Sequence, residues 1–145
     1  MKATLAIMCF ATGMLLVATA QARDTITMNS IEAALATADS RQIGDDVQLF
    51  FGEQPHPSIA AKLGSYTSNK KTSGFGKTDE AACQRAFLSA MITFQQRART
   101  EGGNAVVNLT SYYKGRHVSS MTEFECGSGA VMSGVALRGD VVRLD

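Results

Sequence analysis

The segment most suggestive of chemistry is Lys71–Thr78, which precedes a predicted helix and ends in Gly-Lys-Thr. Phosphate-binding loops end in a Gly-Lys-Ser/Thr triplet, because their backbone amides and lysine hold the phosphates of a nucleotide. The first glycine of that motif, which lets the backbone curl around the phosphates, would fall at position 71, where this chain has a lysine. We therefore interpret the segment as a flexible loop leading into a capped helix, and we expect no nucleotide to bind.

The two histidines and a pair of glutamates provide the other chemical candidates. His56 lies in a proline-containing loop and His117 in a predicted hairpin turn, and neither has a second ligand at metal-binding spacing. Glu123 and Glu125 are two residues apart on a predicted strand, so they share one face. Paired carboxylates of this kind could hydrolyse a sugar, and two solvated glutamates have the same spacing. No serine lies in a Gly-x-Ser-x-Gly motif, and we expect neither an enzyme nor a cofactor.

One group of residues is a candidate binding patch. Its members concentrate positive charge beside an aromatic ring in an otherwise neutral chain. A protein or an anionic polymer of the cell envelope could dock there, although a solvated loop with lysines has the same composition. The patch consists of Lys62, Tyr66, Lys70, Lys71 and Lys77.

Residues 1–22 have the three parts of a secretory signal peptide. Lys2 provides the positive charge, residues 5–18 are almost wholly apolar, and residues 20–22 (Ala-Gln-Ala) provide small side chains at the cleavage site. Cleavage is predicted between Ala22 and Arg23, which would place the protein in the periplasm or outside the cell. The apolar run is shorter than the about 20 residues of a spanning helix, so we expect no stable membrane anchor.

Cleavage would leave two of the three cysteines, Cys83 and Cys126. Two thiols of one small domain usually pair in an oxidising compartment, and this bridge would stabilise the fold by about 4 kcal/mol on the chain-entropy estimate. Two separate buried thiols are the alternative.

The chain has 14 Lys and Arg against 13 Asp and Glu, and loss of Lys2 makes the two counts equal. A net charge near zero argues against a general nucleic-acid or membrane-surface binder, which would need an excess of basic residues.

Residues 23–145 are predicted to form a single periplasmic domain of the α+β class. The clearest periodicity predicts an amphipathic helix at Asp79–Thr100, packed on a mainly antiparallel sheet and stapled to it at its start by the cysteines. Its apolar stripe contains Cys83, Phe87, Met91, Phe94 and Ala98. Further predictions are a helix at Ile31–Ala38, strands at Val47–Phe51, Lys62–Thr67, Ala105–Tyr113, Ser119–Cys126 and Ala130–Leu144, a loop at Asn69–Lys77 and a turn or bulge at Gly127–Gly129.

Several segments resemble a family of small secreted proteobacterial proteins that often carry the automatic label "excinuclease ATPase subunit". The matching segments are Lys62–Thr72, Asp79–Cys83, Gly103–Asn108, and Glu123–Cys126 with Gly129-Ala130. More distantly, the long helix followed by Gly103–Val107 and a closing Gly-Val-Ala-Leu strand is similar to the domain of the outer-membrane stress sensor RcsF and to the YbjQ-type domain. The RcsF resemblance implies a disulfide-stapled domain that signals by protein contact. This chain lacks the lipoprotein cysteine and the additional cysteines of that sensor.

These observations predict a non-catalytic module of the periplasm or envelope that binds another protein or a cell-wall component, with a role in stress suggested by the resemblance. We predict no nucleotide, nucleic acid or cofactor. Two alternatives stay open. One is a metal- or small-ligand-binding protein that uses His56 or His117, and the other is an unrecognised hydrolase that uses Glu123 and Glu125.

Overall fold

The computed structural model describes residues 23–145, and the predicted signal peptide lies outside them. Within these residues one long helix packs against a curled sheet of six strands, so the fold is α+β as predicted. The strands are β1 (Thr25–Ser30), β2 (Gln48–Phe51), β3 (Ile59–Ser73), β4 (Ala105–Ser111), β5 (Glu123–Ser128) and β6 (Met132–Leu144). The helices are α1 (Ile31–Leu35) and α2 (Asp79–Glu101), and short 3-10 turns occupy Ala38–Gln42 and Tyr113–Gly115.

The strand β6 organises the sheet. Along one edge it pairs antiparallel with β3 over almost its whole length, from Leu144 opposite Ile59 to Met132 opposite Ser73. Its other edge is shared, because β5 pairs with its first residues and β4 with its later ones. β1 pairs antiparallel with β5, and β2 pairs in parallel with β4. Within the described residues, β1, β2 and β3 are therefore edge strands.

The helix α2 forms where the sequence predicts it, apart from one more residue at its end. Thr78 caps the start, since its Oγ1 accepts a hydrogen bond from the Ala81 amide at 3.1 Å. Gly102 ends the helix in the left-handed conformation (φ 78°), which a glycine adopts without strain. All five residues of the predicted apolar stripe are buried between α2 and the sheet. The amphipathic helix on a mainly antiparallel sheet is thus confirmed.

A disulfide joins Cys83, in α2, to Cys126, in β5, and confirms the predicted pair. The two Cα atoms are 5.9 Å apart and both side chains are fully buried. Beside the bridge, Phe87 of the helix stacks on Phe124 of the strand with ring centroids 4.1 Å apart. The bridge and this aromatic contact together hold the beginning of α2 on β5.

Two strand segments were not predicted from the sequence. The composition of residues 69–77 predicts a loop, whereas residues 69–73 continue β3. They pair along the whole start of β6, and an edge strand tolerates polar side chains because one of its faces meets solvent. The sequence analysis also misses β1, whose Ile26 and Met28 stay about two-fifths exposed at 41% and 42%. That strand forms by pairing with β5 rather than by burying an apolar face.

The remaining differences concern element ends. The helix predicted to reach Ala38 stops at Leu35 and gives way to the 3-10 turn. Gly127 and Ser128, predicted to lie in a turn or bulge, instead extend β5 and pair with β6. A side chain at position 127 would clash with the Tyr113 ring, which occupies the space beside Gly127. No helix in residues 23–145 is long and apolar enough to cross a membrane.

Candidate functional site

Two neighbouring cavities form an apolar groove beside the open edge of β2. One has a volume of about 470 Å³ and the other about 480 Å³. Both are lined by Leu35, Leu49 and Phe51, so they adjoin each other, with Ile43 extending one end and Met121 the other. We call this feature the β2 groove. Leu35 and Met121 are 40% and 55% exposed, which is unusual for large apolar side chains that lie next to a core.

Gln95 of α2 fixes one wall of the groove. Its side chain is 1% exposed, and all of its hydrogen bonds go to the segment that precedes β2. Oε1 accepts from the Gly44 amide at 3.0 Å, while Nε2 donates to the carbonyls of Gly44 at 2.7 Å and Val47 at 2.8 Å. Because a buried amide is costly to leave unpaired, this three-bond contact holds residues 44–47 against the helix.

An ion pair supports the same wall from the surface. Arg99 donates two hydrogen bonds of 2.7 Å to the carboxylate of Asp46. These hydrogen bonds lower the pKa of Asp46 below its ordinary value, because the guanidinium favours the charged carboxylate. The contact neutralises one of the two neighbouring aspartates and leaves Asp45 on the rim of the groove.

The backbone of β2 has hydrogen-bonding groups on its open edge. The Gln48 amide donates to the carbonyl of Asn104, just before β4, at 3.0 Å. The Gly52 amide donates to the carbonyl of Leu109, in β4, at 2.9 Å. Because strand residues alternate in direction, the amide and carbonyl of Leu49 point away from β4. The next outward amide, that of Phe51, is already bonded to Oε1 of Gln54 at 3.0 Å. The edge is therefore open around Leu49 and closed at its far end.

The rim of the groove is acidic. Asp45 borders one cavity and Glu32 the other, and both side chains are exposed. Within residues 23–145 neither of them takes part in an ion pair. An apolar floor with carboxylates at its border favours a ligand that combines apolar side chains with lysine or arginine.

The predicted binding patch is divided by the sheet. Lys62 and Lys71 lie on the outer face of β3, whereas Tyr66 and Lys70 lie on the face that carries α2. Lys77 lies in the turn before the helix, with its Nζ 3.5 Å from the carbonyl of Ser73. The structure thus distributes the five residues over two faces and a turn.

Tyr66 is engaged by the end of α2. The guanidinium carbon of Arg97 lies 4.7 Å from the centroid of its ring, as in a cation–π contact. Desolvation, followed by a hydrogen bond with Glu101, raises the pKa of Tyr66 above its ordinary value. The aromatic member of the predicted patch therefore packs against the helix.

The two histidines each lie against a different aromatic ring. The Nδ1 atom of His56 is 2.8 Å from the Pro57 carbonyl, and its ring meets Phe50 edge-on at 5.5 Å. His117 lies 4.6 Å from the ring of Tyr112. Across residues 23–145, no three His, Cys, Asp or Glu side chains are grouped as they would be around a metal ion.

The two candidate glutamates share a face of β5 but have different surroundings. Glu123 is exposed, whereas Glu125 is only 2% exposed, so interpreting both as solvated is wrong for Glu125. The guanidinium of Arg116 donates to Oε1 of Glu125 at 2.6 Å. This contact ties the connection before β5 to the strand itself.

Residues 71–78 form the end of β3, a turn and the cap of α2. The turn bonds to the one between β5 and β6, since the Gly74 amide donates to the Val131 carbonyl at 2.8 Å. Phe75, at its centre, is 87% exposed.

The sequence analysis missed the residues of the β2 groove. Gln95 gave the one available signal, because it lies four residues after Met91 and so falls on the apolar stripe of α2. A polar residue in such a stripe indicates a buried hydrogen-bond partner elsewhere in the chain, without saying which.

Compared with protein-family models, curated proteins and solved structures, this chain matches none of them.

Proposed function

We propose that this chain is a non-catalytic module of the bacterial cell envelope that binds another protein, and that the β2 groove receives an extended segment of that partner. One observation carries the proposal: the open edge of β2 at Leu49 runs beside two adjoining cavities with apolar linings. In strand addition of this kind, main-chain hydrogen bonds provide affinity and pockets for alternate side chains provide specificity.

The presence of two adjoining cavities supports such a segment. Alternate side chains of an extended chain point the same way and are about 7 Å apart. Successive side chains on one face of the partner would therefore enter the two cavities on either side of Leu49. Asp45 and Glu32, at the border of the cavities, would attract lysine or arginine next to those apolar residues.

The proposed envelope location has two supports. One is the predicted signal peptide at residues 1–22, and the other is the disulfide between Cys83 and Cys126, a bond that persists in oxidising compartments. A long helix stapled to the sheet also supports the proposed relationship to the RcsF-type domain, which implies signalling by protein contact. The envelope and that relationship are parts of the proposal.

The test uses random peptides selected on the purified protein by phage display, with their affinities then measured by calorimetry. We expect the selected peptides to alternate apolar and polar residues and to carry lysine or arginine. The variant Leu35→Asp should weaken their binding about tenfold, because it opposes a charge to apolar side chains.

The matched control is Ile26→Asp, at a residue of β1 that is 41% exposed against 40% for Leu35. It should leave the affinity within about twofold, since a substitution outside the contact changes little binding energy. Equal losses in the two variants, or selected peptides that shift the amide signals of β3 instead of those of β2, would contradict the proposal.

A further inference from the structure

An apolar tip lies at the end of the molecule where β3 meets α2 and β5 meets β6. Phe75 projects from the first of these turns with 87% of its surface exposed, and Val131 and Met132 project from the second with 66% and 46%. The turns lie side by side, because the Gly74 amide bonds to the Val131 carbonyl and Ser73 pairs with Met132. Three large apolar side chains are therefore exposed at the same end of the molecule.

Positive charge surrounds this tip. Lys70 and Lys71 are near the end of β3 and Lys77 is in the same turn as Phe75. None of the three takes part in an ion pair with another described residue.

The carboxylates nearby only partly offset the lysines. Asp79, which begins α2, is neutralised by Arg23, whose Nη2 donates to both of its oxygens at 2.8 and 2.9 Å. Glu80 adds one negative charge at the exposed start of the helix. The balance of charge around the tip stays positive although the chain as a whole is close to neutral.

We infer that the tip docks on a bilayer surface that contains anionic phospholipids, with Phe75, Val131 and Met132 entering the boundary between headgroups and acyl chains. Exposed apolar side chains ringed by lysines bind such surfaces because the apolar groups leave water while the ammonium groups stay among the phosphates. Each lysine near the surface strengthens binding about fivefold, and a few apolar side chains give reversible contact rather than anchoring. This surface is separate from the β2 groove, so either proposal can fail without the other.

The chain contains no tryptophan, so Phe75→Trp gives it a single tryptophan, at the tip, whose emission can be excited separately from that of the three tyrosines. The protein is taken from the periplasmic fraction, and its intact mass establishes that residues 1–22 are absent, because an apolar leader would itself bind vesicles. With vesicles of phosphatidylglycerol and phosphatidylcholine in equal parts, we expect the emission to shift to the blue and brominated acyl chains to quench it. Vesicles of phosphatidylcholine alone should give a much smaller change.

Met121→Trp is the matched control. Met121 is 55% exposed and precedes β5, whereas Val131 follows that strand, so β5 separates the two positions by about 17 Å. Its emission should not change when vesicles are added. Equal blue shifts at both positions would indicate unspecific adsorption and would overturn the inference.

Sedimentation with the same vesicles measures the contribution of each group. Lys71→Gln combined with Lys77→Gln should lower the partition coefficient about 25-fold, and added salt should weaken the binding of the unmodified protein. Phe75→Ser should reduce binding without altering the fold, because its side chain is exposed. Unchanged partitioning of Phe75→Ser, or equal partitioning onto neutral and anionic vesicles, would overturn the inference.

Discussion

Gln95 is the residue that connects the long helix to the proposed binding groove. Its neighbours on the stripe of α2 are apolar, and yet its amide makes three hydrogen bonds to the segment before β2. Helical periodicity places this residue at the buried face but does not identify Gly44 or Val47 as its partners, because they lie about fifty positions earlier in the chain. Pairing of Cys83 with Cys126 was easier to predict, since only two cysteines remain after the predicted cleavage and they allow one combination.

We expect Gln95→Leu to lower the free energy of unfolding by about 2 kcal/mol, because the polar groups of Gly44 and Val47 lose their partner. The same variant should accelerate hydrogen exchange at the Gly44 amide and weaken peptide binding in the β2 groove. Urea unfolding and exchange measured by NMR provide the readouts. Gln96→Leu is the control, because this neighbour is exposed and its side chain should be dispensable. If the two variants unfold at the same urea concentration, the proposed role of Gln95 is wrong.

Among the secondary-structure elements, the disulfide links the long helix to the sheet. It joins α2 to β5, and the stacked rings of Phe87 and Phe124 lie next to it. The bond joins two residues that are 43 positions apart in the sequence, so it lowers the conformational entropy of the unfolded chain.

Replacing both cysteines, Cys83→Ser with Cys126→Ser, should reduce the free energy of unfolding by about 4 kcal/mol. Reduction of the unmodified protein with a phosphine should give a loss of similar size, which separates the effect of the bond from that of the substitutions. Urea unfolding followed by circular dichroism measures both. Stability that is unaffected by reduction would show that the helix is held by packing alone.

The elements differ in how well their sequence predicts them. The helix α2 has an apolar stripe, an N-terminal cap and a terminal glycine, and these local signals determine it almost to the residue. The strands β1 and β3 are edge strands whose polar or exposed residues carry little information about pairing. Their partners in β5 and β6 are distant in sequence, and a single sequence does not encode register in an obvious way. The β2 groove depends on such pairings and therefore was not predictable.

For the whole molecule, the central prediction concerns export. Protein recovered from the periplasm should begin at Arg23 and should be lighter by two hydrogens than its reduced form, because the Cys83–Cys126 bond is closed. Intact-mass spectrometry before and after alkylation without reductant is the measurement. An unaltered mass after alkylation is expected. A chain that retains residues 1–22, or that takes up two alkyl groups, would contradict the cleavage or the bridge respectively.

The position of β6 in the sheet has a consequence for when this chain can fold. Since β3, β4 and β5 all pair with residues 132–144, the sheet cannot close until those residues have been synthesised. Before residues 132–144 have been synthesised, β3 has no partner strand. The apolar face of α2 then lacks the part of its cover that β6 provides. If the chain is exported as proposed, its sheet can close only after residues 132–144 have crossed the membrane.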